Sequence, residues 1–407
     1  MTDEQREMSA PLSGVRVIEL AHIMAGPVCG LMLADMGADV IKVERLPGGD
    51  GTRGFVPPDL SGESAAFMML NRGKRGIALD LRAPHGLDIV RRLILDADVL
   101  IENFRVGTME RVGLGWDELS ETNPRLIYCQ ITGFGRTGPL ANKGGFDLIA
   151  QGYSGLMSVT GEGPGRAPVK VGTPVTDITA GILAAFGVSS ALFQRERTGR
   201  GQRVDTSLFE AGITQTYWQS AIALASGISP DPMGSAHPLA APYQAFATSD
   251  GWINVGASNE ATWRGLAKAV GSAALAEEDR FVNNAVRMRH RDELTDLLTP
   301  IFLTRTSDEW LERLALEGVP AGPIASVGEM LEHPHTIARD MVVEVKHSRL
   351  GSVRSLGNAV KMSAAPTPAT RAGAPLLGEH TREVLGEARY GVAEIEELVA
   401  SKVVTEP

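Results

Sequence analysis

Apolar residues in the first third of the chain come in short runs broken by turn-forming residues. Residues 15–20 are one such run and predict a strand. A loop follows, and Pro27 is placed for the first turn of a helix reaching Met36. Residues 37–44 then predict a second strand ending at Glu44. A strand, a helix and a strand with so short a crossover predict parallel pairing. The alternation continues with a strand at 77–81, a helix at 84–97, a strand at 98–103, a helical piece near 109–112 and a strand at 126–131. The pattern is that of an α/β fold, with a Rossmann-like large domain built on a parallel sheet.

Further along, residues 147–157 read as helix. Residues 178–193 form a run of small and apolar residues, apolar on nearly every face, which predicts a buried helix. Asp177 stands at or next to its N-terminus. It serves there either as a helix cap, a role Thr176 or Thr179 could equally fill, or as a chemically active acid. Helical sequence runs on to about residue 226, and near 227 the character changes. Residues 243–255 predict a hairpin with a Ser-Asp-Gly turn, and Ala-, Leu- and Arg-rich helices extend to about 317. The domains expected are a large one over 1–226, a smaller α+β one over 227–330, and a linker from 331 on. Residues 352–374 read as loop with a strand near 356–361, and a helix at 393–401 closes the chain.

Composition narrows the chemistry. A net charge of −10 argues against a general nucleic-acid surface, so an anionic ligand must be held by local clusters. Such a cluster exists in the loops after the strands: Arg45, Arg53, Arg72, Lys74, Arg75, Arg105 and Arg111. It reads either as a phosphate site at the end of an open sheet or as ordinary solvated charge. The Gly- and Pro-rich stretch 46–62 is a long loop of the kind that is functional or mobile. The dinucleotide fingerprint G-x-G-x-x-G is absent from the first turn, so Glu44 reads as a surface acid at a strand end rather than a ribose ligand. Two cysteines, Cys29 and Cys129, allow neither a disulfide framework nor a Cys-rich metal site, and no metal motif occurs. No run of about eighteen apolar residues predicts a membrane span, and the polar, acidic start predicts a cytoplasmic protein.

Several motifs taken in order resemble the class III CoA-transferases, the group of formyl-CoA transferase and its relatives, over essentially the whole chain. They are residues 11–20, 25–27, 37–44, 71–75, 102–104, 133–139, 176–181, 198–202 and 378–381. The resemblance implies that Asp177 is a covalent nucleophile passing through a mixed anhydride and an aspartyl-CoA thioester. It implies CoA contacts at His22, Met24, Ala25, Arg45, Lys74, Arg75, Leu79, Asn103 and Arg111, and an acid near the CoA site at Asp147. Coenzyme A is then the substrate carrier, with no separate cofactor and no metal, and the partners are an acyl-CoA and a carboxylic acid. The formyl enzyme has glutamine where Met24 stands and a tetraglycine loop where residues 234–243 stand. The His-Pro…Pro-Tyr-Gln-Ala-Phe form looks like the branch handling succinyl-CoA and related dicarboxylates, with His237 as a candidate substrate contact. The family also implies an interlocked homodimer in which residues 331–407 return to the large domain. The runner-up activity is α-methylacyl-CoA racemisation, which needs a histidine where Phe146 stands. A catalytically silent CoA-binding protein is the non-enzymatic alternative.

Overall fold

The computed structural model describes residues 10–365 and 371–407. The chain forms two compact units. The larger comprises the described residues up to Ser154, Gly172–Gln215 and the described residues from Pro334 on; the smaller comprises Gly155–Val171 and Thr216–His333.

The large unit is built on β1 (Arg16–Glu19), β2 (Asp39–Arg45), β3 (Arg75–Leu79), β4 (Val99–Glu102), β5 (Ile127–Thr132) and β6 (Gln202–Ser207). These six are parallel and lie in the order β3-β2-β1-β4-β5-β6, and strand Val404–Thr405 adds antiparallel to β3 as a seventh. Five of the parallel strands are buried along nearly their whole length because helices cover both faces of the sheet. One face packs Val17, Val40, Ile101 and Ile127 against α1 (Ala25–Asp35) and the long helix α4 (Val175–Thr198). The other packs Ile18, Ile41, Ile77 and Leu100 against α2 (Pro84–Leu95) and helices Thr381–Glu387 and Val392–Ala400. α3 (Asp147–Tyr153) precedes α4.

Helix α4 meets α1 through small residues. A Cβ on Gly181 would lie 2.7 Å from Ala25 O, so only glycine permits the crossing. By length and composition α4 is apolar enough to cross a membrane. Ala180, Ala184, Val188 and Ala191 are nonetheless buried against the sheet, which makes it a core helix of this unit. The expectation of a helix buried all round is corrected. Only the small-residue stripe is covered, while Ile182, Phe186 and Phe193 stand exposed on the opposite face. The expected strand at 356–361 is corrected too: the sheet there is a hairpin of Val342–His347 and Gly351–Leu356.

In the small unit Tyr243–Ala247 and Trp252–Gly256 pair antiparallel around the turn at 249–251, and Ala321–Pro323 adds a third strand. Asp250 fixes the turn by accepting from the Thr248 hydroxyl (2.9 Å) and the Ser307 N–H (2.8 Å). Capping boxes start helices Glu260–Ala269 and Ser307–Leu316. Phe246, Trp263, Phe302 and Trp310 fill the core between them.

Candidate active site

After β1 the chain turns through residues 20–24 into α1, and each step of the turn is tied to a neighbour. Leu20 N–H donates to Ile101 O (2.8 Å), and Lys42 Nζ donates to Ala21 O (3.0 Å). His22 exchanges two bonds with the Asn103 side chain, its N–H to Oδ1 (2.9 Å) and its carbonyl from Nδ2 (2.8 Å). Ile23 N–H donates to Asp50 Oδ1 (3.1 Å). Beside this turn lies a cavity of about 90 Å³ walled by Leu20, Val43, Leu81 and Phe104, with His22, Glu44, Arg45 and Asp50 around it. It sits at the C-terminal ends of β1, β2 and β4, where the strand order reverses. Open α/β sheets bind their ligands at that switch point.

Beneath the cavity is a buried charge network. Lys42 reaches Glu19 (3.0 Å) and Asp50 (2.9 Å), and Lys74 reaches Glu19 (2.7 Å); all four side chains are essentially inaccessible. Burial opposes the charge on Lys42, but Glu19 and Asp50 more than offset it and hold its pKa up. Burial also opposes the charge on Asp50, yet Lys42 and the Thr52 and Ile23 amides pull its pKa far below the usual carboxylate value. Glu44 is likewise buried, paired with Arg53 (2.7 Å), so its reading as a surface acid is corrected.

The basic cluster divides sharply. Arg53, Arg72, Lys74 and Arg75 are consumed by acids of the fold: Glu44, Asp35, Glu19 and the trio Asp39, Glu383 and Glu387. Lys74 also donates to Pro27 O and Asn71 Oδ1, which occupies all three of its protons. Arg45, Arg105 and Arg111 have no acidic partner among the described residues; Arg111 donates only to the Thr108 hydroxyl. The structure therefore brings together His22, Met24, Ala25, Arg45 and Asn103, with Met24 preceding α1 and buried Ala25 opening it. Arg111 closes the short helix Thr108–Arg111 that follows β4. Leu79 points into the core instead, and Leu81 takes the place on the cavity wall. Asp50 escapes detection as a site residue in the sequence, because a Gly-rich loop carries no pattern of its own, and Phe104 enters there only as the third residue of the 102–104 motif.

Asp177 lies in the first turn of α4, but it is not the cap. Asp147, at the start of α3, fills that role. Its Oδ1 accepts from the Thr176 N–H (2.9 Å) and hydroxyl (2.8 Å), and its Oδ2 from Gln151 (2.8 Å). Among the described residues the Asp177 carboxylate accepts no hydrogen bond. Burial, and then the like charge of Asp147, push its pKa up to about 7. A carboxylate this poorly solvated is a better nucleophile than one in water.

A sequence profile for CoA-transferase family III matches residues 12–381. The succinate–glutarate CoA-transferase of Agrobacterium fabrum is 41% identical over 383 residues, covering 93% of this chain and 95% of that one. The human succinyl-CoA:glutarate CoA-transferase is 36% identical over 400 residues, covering 97% and 90%. A CaiB/BaiF family protein from Brucella suis has a crystal structure that matches with a TM-score of 0.82 at 41% identity, covering 94% of this chain and 100% of that one. The chain belongs to CoA-transferase family III.

In this CoA-transferase the residue before Asp147 is Phe146, exposed and unable to move a proton. His237, in the small unit, is held between the rings of Trp218 (6.1 Å) and Tyr243 (5.2 Å). Its Nδ1 accepts from Leu239 N–H (3.1 Å), which leaves the proton of the neutral ring on Nε2. Among the described residues no group of three or more His, Cys, Asp or Glu side chains is placed to hold a metal ion.

Proposed function

We propose that this enzyme moves CoA between short dicarboxylic acids, succinyl-CoA among the donors, with Asp177 as covalent nucleophile. The observation that carries the reading is an unbonded, desolvated carboxylate at a helix start whose cap is supplied by another acid. The carboxylate adds to the thioester carbonyl, the C–S bond breaks, and CoA leaves as thiolate from an aspartyl mixed anhydride. The thiolate then attacks the aspartyl carbonyl, giving an aspartyl-CoA thioester and releasing the donor acid. An acceptor carboxylate attacks that thioester, the thiolate returns to the acceptor's carbonyl, and Asp177 is regenerated. The apolar-walled cavity beside His22 suits the adenine ring, and the unpaired Arg45, Arg105 and Arg111 suit the phosphates. The relatives' named substrates, succinate and glutarate, support the choice of dicarboxylates. The test is mass spectrometry of the protein incubated with succinyl-CoA and then hydroxylamine, alongside a panel of acceptor acids. A hydroxamate on Asp177 supports the reading, and turnover without one on that residue removes it.

The attacking species is the ionised carboxylate, so kcat/KM should rise with pH through about 7, where Asp177 loses its proton. Asp147→Asn keeps an oxygen for the Thr176 N–H but removes the like charge, so the rise moves to lower pH. Burial still acts in that variant, so the shift is partial. A pH–rate profile superimposable on the parent's would show that Asp147 does not set the titration.

We infer that the working form is a homodimer of interlocked chains. In the large unit Phe146, just before α3, and Leu148, Ile149, Phe186 and Phe193, on α3 and α4, are exposed, more apolar surface than a lone chain keeps wet. In the small unit, helix Tyr217–Ser226 buries none of its residues although Tyr217, Trp218 and Leu224 lie on it. Light scattering should give twice the mass of one chain, and a monomer at micromolar concentration contradicts the inference.

A further inference from the structure

The turn that presents His22 contains a conformation its sequence does not favour. Ile23 has φ of +66°, in the left-handed region where a β-branched residue is an outlier. Such a residue persists only where its surroundings over-determine it. Here the surroundings come from the strap that follows β2. Asp50 Oδ1 accepts the Ile23 N–H at 3.1 Å, and also accepts the Thr52 N–H (2.9 Å) and hydroxyl (2.8 Å), which curls the strap into a short helical turn. The other Asp50 oxygen is 2.9 Å from Lys42, and the Asp50 N–H donates to Glu44 Oε2 (2.9 Å). The strap also lies directly on Ile23: a Cβ on Gly51 would stand 3.0 Å from Ile23 Cδ1. Asp50 thus joins the buried ion network to one strained peptide. On either side of that peptide are His22, which lines the cavity, and Met24, from which α1 starts.

We propose that Asp50 is a positioning residue for the CoA site, holding Ile23 left-handed so that His22 faces the cavity and α1 begins at Ala25. This rests on the reading that the cavity receives CoA. Asp50 acts through the turn rather than on the substrate, and its effect is on CoA binding far more than on the bond-making steps at Asp177.

The experiment is isothermal titration of the full-length protein with free coenzyme A, with steady-state kinetics on the same samples. Asp50→Ala should raise the Kd and the KM for acyl-CoA by about tenfold, the cost of losing one enforced strained conformation, while kcat changes by less than about threefold. Adding Ile23→Gly, which enters the left-handed region freely, should recover about threefold or more of the lost affinity. A defect of general stability is not repaired by that glycine. Ile23→Pro removes the N–H and imposes a negative φ while leaving Asp50, Lys42 and Glu19 untouched. It should weaken CoA by about tenfold as well, and it answers the question if Asp50→Ala does not fold. Parent-like CoA affinity in either Asp50→Ala or Ile23→Pro, or a double variant no better than Asp50→Ala, overturns the proposal. Parent protein that fails to bind CoA overturns the CoA reading first and this one with it.

Discussion

Replacing Asp177 by alanine should lower kcat by at least about 10⁴ while CoA binding stays within about twofold, because the covalent role proposed for it has no substitute. Arg45→Ala should do the converse. It lines the cavity with no acidic partner, so its loss raises KM for acyl-CoA by about tenfold and moves kcat little. Single-turnover kinetics with labelled succinyl-CoA, together with CoA titrations, separate the two. Asp177→Ala should also unfold at a temperature no lower than the parent's. The fold holds that carboxylate in a desolvated place beside Asp147, and removing it relieves both penalties. Transfer retained by Asp177→Ala would end the covalent reading, whatever happened to binding.

Lys42→Met should destabilise the large unit by about 3–5 kcal/mol, because it leaves two buried carboxylates without their shared cation. Lys42 is fully buried and serves Glu19, Asp50 and the Ala21 carbonyl at once. Methionine fills the space but donates to none of them, and Lys74 reaches only Glu19. The acid limb of the stability curve should change with it. In the parent, Asp50 has its pKa held well below the unfolded value, so it contributes stability above about pH 4 that is lost as the pH falls further. Without Lys42 most of that contribution disappears, and the variant's deficit should be largest near neutrality and shrink in acid. Denaturant melts at pH 7 and about pH 2.5 measure this, and a loss under about 1 kcal/mol at pH 7 would show that the network is not stabilised by its cation.

Much of the sheet was legible because parallel strands buried on both faces leave short, mainly apolar runs, as at 15–20 and 126–131. Strand Val404–Thr405 was not, since two residues carry no period. The start of α4 was readable from its small apolar run, but its outer face was not. Phe186 and Phe193 look the same in sequence whether a sheet covers them or none of the described residues does. The basic cluster was legible only as a density of charge, for a different reason. Lys74 and Arg75 share a density of positive charge with Arg45, and only the fold reveals that their acids lie on β1, β2 and a helix some three hundred residues later. Glu44 follows the same logic, its partner Arg53 being inside a loop that offers no register. Asp177 was placed at a helix start from sequence alone. That its capping duty belongs to Asp147, thirty residues earlier, is a matter of tertiary contact.

The antiparallel pairing of Val404–Thr405 with Ala78 and Leu79, secured by the Asp80 N–H to Val403 O at 2.8 Å, has a bearing on biosynthesis. The outermost parallel strand has an open flank until residues 403–405 have left the ribosome. A nascent chain, or one clipped just short of those residues, presents an unguarded template for other polypeptides. Completion of this sheet therefore waits on a segment synthesised long after the strand it covers.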